Sequence, residues 1–247
     1  MSESVADPKD EHLVHRLVEM IRSGRVGDAM ALIEAHADPG AMGAALGSAV
    51  KTIYREHHDV TSMIVAGNIG LAYCVRNAAL AADDDAARQL RTIGRTIAFN
   101  AAANCWPGWG DAGIVIEDAH ILAGLKLAEE SRALVQELGL GARAQGTAQW
   151  LVGALELAAG RLAAARAAFA QAEQVFLAAD AGASQAPAHA LMARGYMALA
   201  QKADPQSRAE GAATLSEILA RLRAEGSKDA IFFADQLATA DRILIEA

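Results

Sequence analysis

The residue types able to do chemistry are unevenly spread along this chain. All four asparagines, Asn68, Asn77, Asn100 and Asn104, fall in one stretch of 37 residues. Asparagine is an indifferent helix former, so its use inside a helical pattern asks for a reason. Asn100 and Asn104 stand one helical turn apart, Thr96 lies a turn before them, and Arg91 and Arg95 share another stripe of the same stretch. Amides on one face can clamp the backbone of an extended peptide, and a guanidinium can take a carboxylate. The same side chains can instead satisfy loop or helix backbone. Directly after them comes Cys105-Trp106-Pro107-Gly108-Trp109-Gly110-Asp111. Pro-Gly sets a tight turn. Trp106 and Trp109 on either side of it are interface anchors or the cap of a core where a long helix ends. Asp111 is expected to cap the helix that follows.

Histidines and acids raise the question of a metal. His12 and His15 are close in sequence, Arg55-Glu56-His57-His58-Asp59 is locally dense, and Glu117 with His120 has the Glu-x-x-His spacing of carboxylate-bridged metal bundles. Such a site needs a second copy and further carboxylates, and Glu11 with His15 has the wrong spacing to supply one. Solvated helix faces account for these residues, and neither a metal nor a cofactor is expected. Cys74 and Cys105 have no metal spacing and read as two reduced thiols. Ser62 and Cys74 lack an identifiable base, so no nucleophile is assigned. The glycines from Gly40 to Gly47 follow no strand and precede no Walker lysine, which excludes a phosphate loop.

The elements that position these residues are helices. About a quarter of the 247 residues are alanine, and only 4% are aromatic; alanine loses no side-chain entropy in a helix, whereas sheets favour β-branched and aromatic residues. Residues 9–22 form an amphipathic helix carrying Leu13, Leu17, Met20 and Ile21; Gly24 breaks it, and a second helix runs over 26–37. The design returns with helices over 143–158 and 161–179 around Gly160. A further turn is placed at Gly124, another at Asp83-Asp84-Asp85, a hairpin over 188–202 and 208–223, and a last helix over 228–245.

Gly24 and Gly160 lie 136 residues apart, four periods of 34, and the residues around them align. Gly153, Gly160, Ala165, Phe169 and Ala172 occupy in order the small, glycine, alanine, aromatic and small positions of one repeat. Over 146–179, and in part over 10–39, the chain therefore resembles the tetratricopeptide repeat family. That resemblance implies an all-α, right-handed αα-superhelix, a solenoid of about five helical hairpins in which each hairpin buries its open face on the next. The expected organisation is a disordered tail over 1–8 and one repeat domain over 9–247, irregular between 40 and 112.

A formal net charge of −8 disfavours nucleic acid, and no long uncharged apolar stretch suits a membrane. The polar, acidic N-terminal residues give no sign of a signal peptide, so a cytoplasmic chain is expected. The resulting expectation is a scaffold or adaptor without catalysis. It would bind a protein or peptide on a concave face carrying Asn68, Asn77, Arg95, Asn100 and Asn104, with Trp106 and Trp109 at the rim. Trp150 joins them because the repeat register turns it toward the groove, and a homodimer is a further candidate assembly. The rival is a small-molecule- or metal-binding enzyme or sensor with a pocket in 55–120.

Overall fold

The computed structural model describes residues 8–179 and 187–246. The expected tail over 1–8 lies outside them, except for Pro8, which opens the first helix. Among the described residues there are eleven α-helices, one short 3-10 turn and no strand. The chain divides into two compact units, Met1–Asn104 and Cys105–Ala247.

The first unit contains α1 (Pro8–Arg22), α2 (Val26–Glu34), α3 (Pro39–His57), α4 (Val60–Ala79) and α5 (Asp84–Ala103). The α1–α2 turn needs Gly24 at φ +75°, a left-handed conformation that costs glycine little. Aspartates start the next three helices: Asp38 accepts from Gly40 and Ala41, Asp59 from Ser62, and Asp83 from Ala86. Each satisfies amide donors that the first helical turn leaves unpaired. The dense Arg55–Asp59 patch is thus a helix junction. His58 ends α3 at φ 53°, Asp59 opens α4, and the Asp59 carboxylate lies 3.6 Å from Arg22.

Helices α3, α4 and α5 pack against one another in all three pairings. The spaced glycines that are no phosphate loop have their use here. A Cβ on Gly43 would stand 3.0 Å from the Cys74 sulfur and 3.1 Å from Ile93; one on Gly70 would stand 3.0 Å from Ile97, and one on Gly94 3.0 Å from the Cys74 Cβ. Small residues let three helices approach around Cys74 and Ile97, both essentially buried. This is why the region lacks the 34-residue register: it is a three-helix cluster, and its spacing is set by glycine contacts.

The second unit contains the 3-10 turn Pro107–Trp109, then α6 (Asp118–Glu137), α7 (Ala142–Ala158), α8 (Leu162–Ala179), α9 (Ala188–Ala203), α10 (Arg208–Glu225) and α11 (Lys228–Leu244). From α6 onward every helix packs on the next, α7 also meets α9, and α9 meets α11. This pattern is compatible with a helical repeat. Two of the residues that carried the family resemblance, Gly153 and Phe169, make one of its close contacts. A Cβ on Gly153 would be 2.7 Å from the Phe169 ring, and one on Gly146 would be 2.5 Å from Phe176. Both pairs are seven residues apart on their helices, which fixes α7 and α8 as an antiparallel hairpin closed by Gly160 at φ +73°. Ala165, Phe169 and Ala172 are fully buried in it.

Two local expectations are corrected. Gly124 is no turn; it is buried inside α6. Asp111 caps no helix either, because the chain continues through a loop to Glu117, the residue that starts α6.

Candidate functional site

In the first unit, two of the asparagines use their amides locally. Asn68 Nδ2 donates to the Ile64 carbonyl and Asn77 Nδ2 to the Tyr73 carbonyl, each at 2.9 Å. These bonds to the residue four back offer the carbonyl a second partner and explain how asparagine sits in a helix at little cost. Asn100 is half-buried, and its carbonyl accepts from the Asn104 backbone N–H at the end of α5. Arg95 is half-buried beside Phe99, its guanidinium 5.9 Å from the ring centroid, and burial lowers its pKa. Asn68 is exposed and the other three are partly covered, and two of the four side-chain amides are already engaged.

The second unit places the three tryptophans together. Trp106 lies 4.9 Å from Trp109 and 5.9 Å from Trp150 between ring centroids, and Tyr196 completes the group at 5.6 Å from Trp106 and 5.4 Å from Trp150. Trp106 and Tyr196 are 0% exposed and Trp150 is 4% exposed. The rim anchors of the sequence reading are thus core residues, except for the half-buried Trp109. The physical reason is the turn itself: Gly108 packs directly on the Trp106 ring, and a Cβ on Gly110 would be 2.6 Å from Ile243 of α11. The Trp106–Gly110 segment thereby fills the space between Trp150 of α7, Tyr196 of α9 and the Thr239–Ile243 stretch of α11. The indole nitrogens of Trp106 and Trp150 and the Tyr196 hydroxyl have no hydrogen-bond partner among the described residues. Each such orphan costs about 1–3 kcal/mol, eased by T-shaped contacts that set ring edges against π faces. Burial raises the Tyr196 pKa well above its ordinary value.

Other sequence candidates resolve into structure. Glu117 and His120 close the start of α6 on each other, the Glu117 backbone N–H donating to His120 Nδ1 at 3.1 Å. Among the described residues no group of three or more His, Cys, Asp or Glu is arranged to hold a metal ion. Both cysteines are buried thiols whose pKa burial pushes up to about 12.

Among the described residues two clefts stand out, each within one unit. One, of about 660 Å³, runs between α1 and α3 of the first unit, with Glu11, His15, Glu19, Glu56 and His57 around Val14 and Val18. Glu19 is held by Arg25 at 3.1 Å. The other, of about 410 Å³, lies in the second unit where α6 and α8 flank α7. Its walls carry Arg132 and Gln136 from α6, Gln145 and Gln149 from α7, and Gln171 and Gln174 from α8, over Val135, Val175 and Ala178. Half of the ten glutamines in the chain converge there. No signal in the sequence singled them out, because glutamine is a good helix former and reads as ordinary surface.

A glutamine amide carries two N–H donors and a carbonyl acceptor without charge. That is the inventory of a peptide backbone, and it suits any ligand made of amides or hydroxyls. Gln145 already spends one donor on the Leu140 carbonyl at 2.7 Å. The stretch from Gln171 to Ala178 is seven helical steps, about 10 Å at 1.5 Å each, which equals about three residues of extended chain at 3.3 Å each. No family profile, curated protein or solved structure matches this chain.

Proposed function

We propose that this protein is a binding module without chemistry of its own, an adaptor that takes a short extended peptide from a protein partner in the cytoplasm. In this reading the hairpins of the second unit are tetratricopeptide-like and continue as a right-handed αα-superhelix. The peptide lies in the cleft over α7, its backbone paired by the glutamine amides. The observation that carries the reading is the convergence of five glutamines and one arginine, from three successive helices, on one open cleft of about 410 Å³. The space beside α7, α9 and α11 is taken by the Trp106–Gly110 turn, which favours the outer cleft over that face as the place where a partner docks.

The test is an array of short acetylated and amidated peptides against the full chain. Binders should lose about fivefold to a hundredfold in affinity in Gln149→Ala with Gln174→Ala, the equivalent of two hydrogen bonds. The double substitution should leave thermal unfolding unchanged. Binders that ignore it, or an array with no binder, would end the reading.

A further inference from the structure

Arg132 distinguishes this cleft from a neutral amide surface. The chain carries 30 acidic residues against 22 basic ones, so a guanidinium in a polar wall would be expected to find a carboxylate. Several arginines do: Arg25 pairs with Glu19, Arg76 with Glu34, and Arg166 with Asp204. Arg132 has no ion pair among the described residues, although Glu129 stands one turn away on the same helix. Its Nε is shielded from solvent and has no hydrogen-bond partner, and no residue lining the cleft is acidic. A guanidinium presents five donors in a planar fork that matches a carboxylate. A guanidinium whose Nε is shielded and unpartnered among the described residues, set in a wall of neutral amides, suits one negative group.

We infer that the cleft selects an acidic peptide: the side-chain carboxylate of an aspartate or glutamate pairs with Arg132 while the backbone amides on either side of it meet the glutamines. This rests on the peptide-binding reading above and adds the charge of the ligand to it. The carboxylate has no competing anion to displace inside the cleft. The net negative charge of the chain opposes approach, but beyond about 8 Å that repulsion is largely screened at physiological salt. Contact with Arg132 then decides affinity.

The experiment uses the full-length chain and two probes, acetyl-Ala-Glu-Ala-amide and acetyl-Ala-Gln-Ala-amide, titrated to millimolar concentrations. Binding is read from the side-chain amide and arginine Nε signals in nitrogen–proton NMR. The glutamate peptide should shift the Arg132 signal and the cleft glutamines, and should bind about tenfold to a hundredfold more tightly than the glutamine peptide, the range of a charge-assisted hydrogen bond. Arg132→Gln should abolish that preference, and Arg132→Lys should keep part of it. Should Arg132→Gln disturb folding, the comparison of the two peptides on the unmodified chain decides alone. Equal binding of both peptides in the cleft overturns the acidic preference and leaves peptide binding standing. Neither peptide perturbing the cleft overturns both.

Discussion

At the scale of single residues, burial decides reactivity. Cys74 and Cys105 would each be ordinary thiols in water, with a pKa near 9.0, yet burial pushes both up to about 12. The nucleophile is the thiolate, so an alkylating reagent at pH 8 should label neither cysteine in the folded chain and both in denaturant. Rapid labelling of the native protein would contradict the packing around Gly43 and Gly94. The same shift ties stability to pH. The folded state favours the protonated thiol, so this contribution is intact below the unfolded pKa and is lost as pH rises from 9.0 toward about 12. Residue type alone also explains where sequence reasoning went astray. Tryptophan is equally at home at an interface and in a core, and nothing in the order Trp-Pro-Gly-Trp tells which. That Trp106 sits under Gly108 and beside Tyr196 is a tertiary fact. Asparagine was readable as unusual, but its partner was the helix's own carbonyl, four residues back.

At the scale of elements, most boundaries were legible because they depend on local chemistry. Gly24, Gly160 and the aspartate caps mark helix ends through φ and amide satisfaction, and the structure places α7 and α8 within a residue of the expected limits. Gly124 misled for the opposite reason: a glycine buried inside a helix looks in sequence like one that makes a turn. The α7–α8 hairpin offers a sharp check. Gly153→Ala would put a Cβ 2.7 Å from the Phe169 ring. Overpacking of this kind should cost about 1–3 kcal/mol in chemical denaturation. Phe169→Leu in the same chain should recover part of the loss, because a smaller side chain readmits the methyl. If Gly153→Ala is neutral, the two helices do not cross at Phe169, and the residues that carry the repeat resemblance lose their structural meaning.

At the scale of the whole molecule, the chain holds two compact units built on different plans. One is a three-helix cluster spaced by glycines, with a further hairpin. The other is a run of consecutively packed helices around an aromatic core. The all-α class followed from composition and periodicity. The division into two units was not among the expectations, although Pro107, Gly108 and Gly110 directly follow the step from Asn104 to Cys105. The convergence of glutamines was invisible, because it needs three helices to be placed before five separated residues become neighbours. No described helix is long and apolar enough to cross a membrane, and the cleft of the second unit is where amide groups and an unpaired guanidinium meet.

A hydrogen-exchange footprint of the full chain with the tightest peptide from the array tests that claim most directly. Slowed exchange confined to the segments of α6, α7 and α8 that carry Arg132–Gln136, Gln145–Gln149 and Gln171–Ala178 is the expected result. Protection over the asparagine stripe from Asn68 to Asn104, with those three helices unchanged, would contradict it.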